Sequence, residues 1–256
     1  VDALSIKSDF QLILTGDGDA IKSELDKYGF DKTRILVEDA KELVSNNESP
    51  TVAIRTKKNS SLVRALEITK SDPEAVGMIS ACSTGAVLAG GIFKIGRIKG
   101  VLRPALCPLL PTMKGGKVCI IDCGANVDCR PEYLVQFALM GSSYMKACGV
   151  ENPRVALVSV GVEDKKGNEL THEVFARLKQ LPLNFVGNME ARDALSGEYD
   201  VLVCDGFVGN VLLKSIEGTA SMVMKTMKKE VMSSFSAKIG ALLMKKALGN
   251  LKTAKD

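Results

Sequence analysis

The chain has 256 residues, 46% of them apolar, and a formal net charge of +4 at neutral pH. It is globular and large enough for one sizeable domain or two joined lobes; the small charge, with no aromatics interleaved among basic residues, gives no warrant for nucleic acid. No apolar run approaches the ~18 residues of a bilayer span, and seven cysteines without paired spacing read as reduced thiols of a cytoplasmic protein.

In chain order, "VDALSI" resembles the end of a helix feeding the strand "FQLILTG", so an earlier strand is expected ahead of Val1. Strands are predicted near Phe10–Thr15, Thr33–Val37, Ala75–Ser80, Lys117–Asp122, Arg154–Val160, Leu183–Val186 and Asp200–Cys204, with helices between most of them. Such Val, Ile and Leu runs, spaced by helical stretches, argue for a mostly parallel sheet covered on both faces. One interval breaks the rhythm. "RPALCPLLPT" and "KVCIIDCG" are joined only by "MKGG", too short for a parallel crossover, and should pair as an antiparallel hairpin. The expected fold is α/β: a doubly wound, mostly parallel sheet with a hairpin insertion, forming one domain over residues 1–220.

After that the composition changes. Residues 221–256 carry eight lysines against Glu230 and Asp256, so nearly all the basic excess lies here. Met232, Phe235, Ile239, Leu242 and Leu243 share one face of a helix, with Lys238, Lys245 and Lys246 largely elsewhere. This amphipathic segment packs on its own domain or a second subunit, or meets an anionic membrane through residues 232–251.

Glycine-rich turns open helices twice, at "SACSTGAV" and at "CDGFVGNVLLK". Ser83, Thr84 and Gly85 in the first, and Gly206, Gly209 and Asn210 in the second, offer hydroxyl and amide donors where a helix dipole favours an anion. If both arise at one sheet edge they would share a cleft for a phosphate-sized group. Neither has the Walker spacing nor a dinucleotide fingerprint. "DCGANVD" brings Asp122, Gly124, Asn126 and Asp128 to a strand end, where turn chemistry explains them better than Mg²⁺; no metal or cofactor is expected. Asn188 and Glu190 follow another strand and read equally as helix caps or site residues.

Basic candidates for an anion are Arg103, held extended by Pro104, Lys117 and Lys214. The single histidine, His172, lies in a polar helix and reads as a surface group, which leaves no ordinary catalytic triad. Cys82, at a helix start, is the one candidate acyl-carrying thiol; Cys107, Cys119, Cys123, Cys129, Cys148 and Cys204 read as small core residues. Phosphate-binding turns, an arginine and no enzyme nucleophile suit a reaction in which bound phosphate attacks a thioester carbonyl.

Together "KKNSSLVRALE", "SACSTGAV", "RPALCPLLPT", "DCGAN", "NMEARD" and "CDGFVGNVLLK" resemble the bacterial phosphate acyltransferases of phospholipid synthesis, which make acyl phosphate from acyl-acyl carrier protein and phosphate. The resemblance implies a fold similar to phosphotransacetylases and isocitrate dehydrogenases, and a homodimer peripherally associated with the inner face of the cell membrane. It also implies a downstream glycerol-3-phosphate acyltransferase as partner. Cys82 and Ser83 stand where the family usually has glycine and asparagine. The family also begins with a strand and a glycine-rich turn ahead of Val1, and ends with a glycine-rich, histidine-containing segment beyond Asp256. On this reading Arg103, Ser83, Thr84, Asn126 and Asn210 hold phosphate or the oxyanion, Gly85, Gly206, Gly209 and Lys214 line the anion site, and Asp122, Glu190 and Asp205 shape turns or orient a proton donor. Lys57, Lys58, Arg97 and Lys99 would meet the acidic carrier protein. The alternatives are a phosphotransacetylase acting on acyl-CoA and a non-catalytic membrane-docking scaffold.

Overall fold

The computed structural model describes residues 2–6 and 9–244. The chain divides into two compact units, Val1–Pro104 and Ala105–Asp256. The division falls inside "RPALCPLLPT", where the sequence carries no linker composition. No element ends at residue 220, the expected close of the first domain; a single helix runs through it.

The first unit contains a parallel pair, β1 (Leu12–Gly16) and β2 (Ile35–Asp39), in register from Leu12 opposite Ile35 to Gly16 opposite Asp39. It also holds helices α1 (Asp2–Ile6), α2 (Gly18–Leu25), α3 (Pro50–Thr56), α4 (Ser61–Ser71) and α5 (Thr84–Gly90). Asp17 ends β1 and caps α2, its Oδ1 accepting from Asp19 and Ala20 N–H at 3.0 Å each. Ile54, Leu62, Val63, Leu66, Ala86 and Ala89 form the core, so α3, α4 and α5 pack on one another. At Gly90 a Cβ would stand 2.3 Å from Leu66 Cδ1, which explains a glycine at the end of α5.

The strand expected at Ala75–Ser80 is absent. Those residues are irregular, and Val76 and Ile79 are 103% and 101% exposed. A β-branched sequence becomes a strand only beside another strand that takes its N–H and C=O groups, and neither β1 nor β2 reaches it.

The second unit is built on a five-stranded sheet, β3 (Leu109–Pro111), β4 (Lys117–Ile121), β5 (Val155–Ser159), β6 (Phe185–Glu190) and β7 (Val201–Val203), in the order β3-β4-β7-β5-β6. β3 and β4 pair antiparallel, as the short "MKGG" link requires, and the remaining contacts are parallel. Helices α6 (Pro131–Ala147) and α7 (Glu169–Leu178) cover the face carrying Cys119, Ile121, Leu157 and Val203. Val118, Ile120, Ala156, Met189 and Leu202 point the other way, towards Leu212 of α8 (Gly206–Ser233). Burial on both faces is why these strands read as unbroken apolar runs. α6 approaches so closely that a Cβ on Gly141 would lie 2.6 Å from Val201 Cγ1.

The amphipathic segment is not one helix. α8 stops at Ser233, Ser234 is extended, and α9 (Phe235–Leu243) begins anew with the Ser234 hydroxyl accepting from Ala237 N–H at 3.1 Å. A serine that caps a following helix competes with continuation of the preceding one, so Met232 and Ile239 belong to different helices. Residues 245–251 of the expected membrane segment lie outside the described residues.

The amino ends of β5 and β7 are fastened by one ion pair. Asp200 Oδ2 accepts from the backbone N–H and Nε of Arg154, at 2.7 and 2.9 Å, and Oδ1 accepts from a terminal guanidinium nitrogen at 2.9 Å. Burial alone would raise the Asp200 carboxyl, but the hydrogen bonds and charge of Arg154 outweigh it and hold it below its ordinary range. A lowered pKa adds stability above the unfolded value of about 3.9 and loses it as pH falls through the folded value. Asp200→Asn is therefore expected to lower unfolding free energy by about 2 kcal/mol at pH 7. In urea titrations at stepwise lower pH the difference should shrink below about pH 4; a pH-independent difference would contradict the assignment.

Candidate active site

The carboxyl ends of β4 and β7 lie side by side, with Ile121 opposite Val203. Each strand leads into one of the two Asp- and Gly-containing motifs, over eighty residues apart in sequence. Asp122 follows β4 and is 0% exposed. Its Oδ1 accepts from Leu106 N–H (2.9 Å) and Ala125 N–H (3.2 Å); its Oδ2 accepts from the backbone N–H (2.7 Å) and Nδ2 (2.9 Å) of Asn126. Four donors satisfy a buried carboxylate. Of the two roles expected for Asp122, these bonds match turn-shaping.

The turn it folds is clasped by the second motif. Asp122 N–H donates to Cys204 C=O at 3.0 Å, Cys204 N–H to Ile121 C=O at 2.9 Å, and Gly206 N–H to Asn126 C=O at 2.8 Å. A Cβ at Gly209 would come within 1.9 Å of the Asp122 carbonyl oxygen, and one at Gly206 within 2.6 Å of the Asn126 oxygen. Glycine is thus demanded at both positions by backbone approach. Gly124, at φ +118°, lies against Asn210, whose Oδ1 would be 3.8 Å from a Cβ there.

Asp205 caps α8, its Oδ1 accepting from Val208 N–H at 2.8 Å. Among the described residues Gly206 and Val208 thus use their amides within the protein, leaving Phe207 as the first-turn donor that none of these contacts engages. Asn210 is exposed one turn further along, and Lys214 another turn on, 2.8 Å from Glu217. Asp122, Asn126, Asp205, Gly206, Gly209 and Asn210 are therefore gathered at one place.

Glu190 is not among them. It ends the edge strand β6, two strands from β7 and three from β4, roughly 10 and 14 Å at the usual spacing, and its carboxylate pairs with Arg192. Glu190 stands at the N-cap position of the 3-10 turn Ala191–Asp193 but makes no side-chain capping bond there, and Asn188 Nδ2 donates to the Glu163 and Lys166 carbonyls at 2.9 and 3.4 Å. Lys117 opens β4, at the end of that strand remote from Asp122.

Ser83, Thr84, Gly85 and Arg103 belong to the first unit. Ser83 caps α5, its hydroxyl accepting from Ala86 N–H at 3.4 Å, and Thr84 is the first helical residue. Arg103 is exposed. The sequence reading put Gly124 at a strand end without its approach to Asn210, and it missed Leu106, whose backbone donor no motif could announce.

The thiols around the clasp are held protonated. Burial, then the Asp122 charge, pushes Cys123 up to about 12, and burial pushes Cys129 up to about 11 and Cys204 well above the usual thiol range. Cys119 is buried and Cys107 half-buried as expected; Cys148 is exposed rather than in the core. His172 is exposed on α7, as its polar helix suggested.

Residues 1–256 match the family described as "Fatty acid synthesis protein". The chain is 48% identical over 253 residues to the phosphate acyltransferase of Clostridium tetani, covering 98% of this chain and 75% of the relative. It is 50% identical over 257 residues to that of Clostridium novyi, covering 77% of the relative. Among solved structures, the EutD phosphotransacetylase of Staphylococcus aureus superposes with a TM-score of 0.61 at 17% identity, over 86% of this chain and 77% of that one. A phosphotransacetylase of Streptococcus pyogenes gives 0.59 at 15%, over 86% and 77%. At these identities the likeness is one of fold.

Gly209→Ala is expected to cost at least about 2 kcal/mol, because the methyl must displace backbone. Gly218→Ala, on the same helix with nothing within 4 Å, should gain up to about 1 kcal/mol. Urea unfolding of both variants checks the pair; equal effects would show that the clasp is not rigid.

Proposed function

This chain belongs to the fatty acid synthesis protein family, together with the phosphate acyltransferases that share about half its residues, and from that membership we propose that it transfers a fatty acyl group from acyl-acyl carrier protein to inorganic phosphate. A phosphate oxygen attacks the thioester carbonyl, forming the C–O bond and a tetrahedral oxyanion; its collapse breaks the C–S bond, and the departing thiolate takes up the proton that the phosphate brought. The observation that carries the proposal is the clasp of Asp122–Asn126 with Asp205–Asn210. It sets polar amides and a helix N-terminus at the carboxyl edge of the sheet, beside thiols that stay protonated. Such a site suits charge stabilisation of bound phosphate and of the tetrahedral oxyanion, with no covalent enzyme adduct. Asn126, Asn210 and the Phe207 N–H are the groups assigned to phosphate or oxyanion; Asp122 and Asp205 hold the turns.

With labelled phosphate and either acyl-acyl carrier protein or acyl-CoA, acyl phosphate should form from the carrier-bound donor. Turnover of the CoA thioester alone would assign the protein to phosphotransacetylation instead. Asn210→Ala should lower kcat/KM for phosphate about tenfold or more with unchanged unfolding free energy.

The partners follow from two surfaces. Lys58 and Lys99 are exposed and available to an acidic carrier; Arg97 is exposed but donates to the Leu102 carbonyl at 2.5 Å, and Lys57 is held by the Leu43 carbonyl and Glu48 at 2.7 and 2.8 Å. From Glu217 to Glu230 every α8 side chain is exposed, Met222, Met224 and Met227 among them, and a bare helix of this kind is unstable without a partner. We assign this face to a second subunit, and the basic segment after Ser233 to the membrane surface. Among the described residues no helix is long and apolar enough to cross a membrane. Met224→Asp/Met227→Asp should dissociate the dimer in sedimentation equilibrium. Release from anionic liposomes by that variant with the dimer intact would assign the face to lipid.

A further inference from the structure

A third loop rises at the same sheet edge as the clasp. β5 lies beside β7, with Leu157 opposite Val203, so the loop that leaves Ser159 stands one strand spacing, roughly 5 Å, from the turn at Asp205. Two of its side chains close over Gly161, which is buried beneath them. A Cβ there would lie 2.8 Å from Glu163 Oε2 and 2.9 Å from Lys166 Cγ. One carboxylate and the stem of one lysine are thus laid over the end of β5. Asp164 pairs with Lys179 at 2.6 Å, but among the described residues neither Glu163 nor Lys166 forms an ion pair.

The rest of the loop holds those two residues in place. Asn188 Nδ2, on β6, donates to the carbonyls of the same pair, Glu163 and Lys166. Lys166 N–H donates to the Glu163 carbonyl at 3.0 Å, and reciprocal bonds between Asn168 and Thr171 lock the far end at the start of α7. Asn188 is only 5% exposed, and its Oδ1, like Ser159 Oγ, accepts from no protein donor among the described residues. A buried acceptor in that condition works against stability, which an apolar side chain of similar volume would avoid. The amide is therefore placed for the loop and not for the core.

We propose, resting on the phosphate-dependent reaction above, that this loop is the third wall of the anion site and selects phosphate over sulfate. Lys166 adds a full positive charge to donors that are otherwise amides and carboxamides; its four-carbon stem spans the step from β5 to the clasp. Glu163 accepts the hydrogen of a phosphate hydroxyl. At neutral pH inorganic phosphate keeps a proton and sulfate keeps none, so the carboxylate hydrogen-bonds the first and repels the second. Asn188 is a positioning residue, acting through the backbone of Glu163 and Lys166.

Equilibrium dialysis of the 256-residue protein with labelled phosphate, and with sulfate as competitor, tests the loop without turnover. Lys166→Gln should raise the phosphate Kd about tenfold or more. Lys165→Gln, which removes a charge whose stem is not among the atoms closing on Gly161, should raise it less than about twofold. Glu163→Gln should lower the ratio of sulfate Kd to phosphate Kd about tenfold or more. Asn188→Leu should lower that ratio too, with an unfolding free energy no smaller than before; an unchanged ratio would overturn its positioning role. Equal weakening by the two lysine variants would mean a diffuse basic surface and would overturn the inference, as would a ratio that Glu163→Gln leaves unchanged. Selective phosphate binding in a protein that forms no acyl phosphate from acyl-acyl carrier protein would reject the reaction and keep the site.

Discussion

A single buried carboxylate organises the site. Asp122 has no solvent to lean on, and an ion in that position survives only if every lone pair finds a donor. Its donors come from three places: Leu106 on the approach to the hairpin, Ala125 in the turn, and Asn126 with both backbone and side chain. Satisfying one ion therefore ties the first strand of the hairpin to the turn after β4 and presets the backbone of Asn126, whose carbonyl then receives Gly206. The geometry at the mouth of the sheet is a by-product of keeping that charge buried.

The glycines finish what the aspartate begins. Gly206 and Gly209 let the first turn of α8 press against the Asp122–Asn126 backbone at distances no side chain tolerates, so the helix axis is set by main-chain contact. A contact of that kind has little play, because backbone cannot swing aside as a rotamer does. The rigid base of α8 contrasts with its distal half, where the side chains from Glu217 to Glu230 lie in solvent. One helix is thus locked against backbone at its amino end and bare of packing at its carboxyl half.

Much of this was legible from residue order, and the failures have physical causes. The hairpin could be read because four residues cannot make a parallel crossover, and "CDGFVGNVLLK" announced its strand–turn–helix because glycine, aspartate and apolar periodicity agree there. The lateral order of strands was not legible: Glu190 ends a strand as Asp122 does, yet β5 and β7 intervene between β6 and β4. Ala75–Ser80 has strand residues without a strand, since propensity there needs neighbours it does not find. The Ser233–Ser234 pair did carry the signal of a helix restart, but the apolar periodicity on either side of it masked the break. The separation of the chain near Pro104 leaves no trace in composition.

The protonated state of the thiols beside the clasp has one further meaning. An acyl phosphate is a mixed anhydride and acylates any thiolate it meets, whereas a neutral thiol is a poor nucleophile. With Cys123 and Cys129 pushed to about 12 and 11, both stay overwhelmingly in the inert form at physiological pH. With the clasp as the proposed site of that chemistry, these sulfur atoms are thereby guarded against acylation by the product.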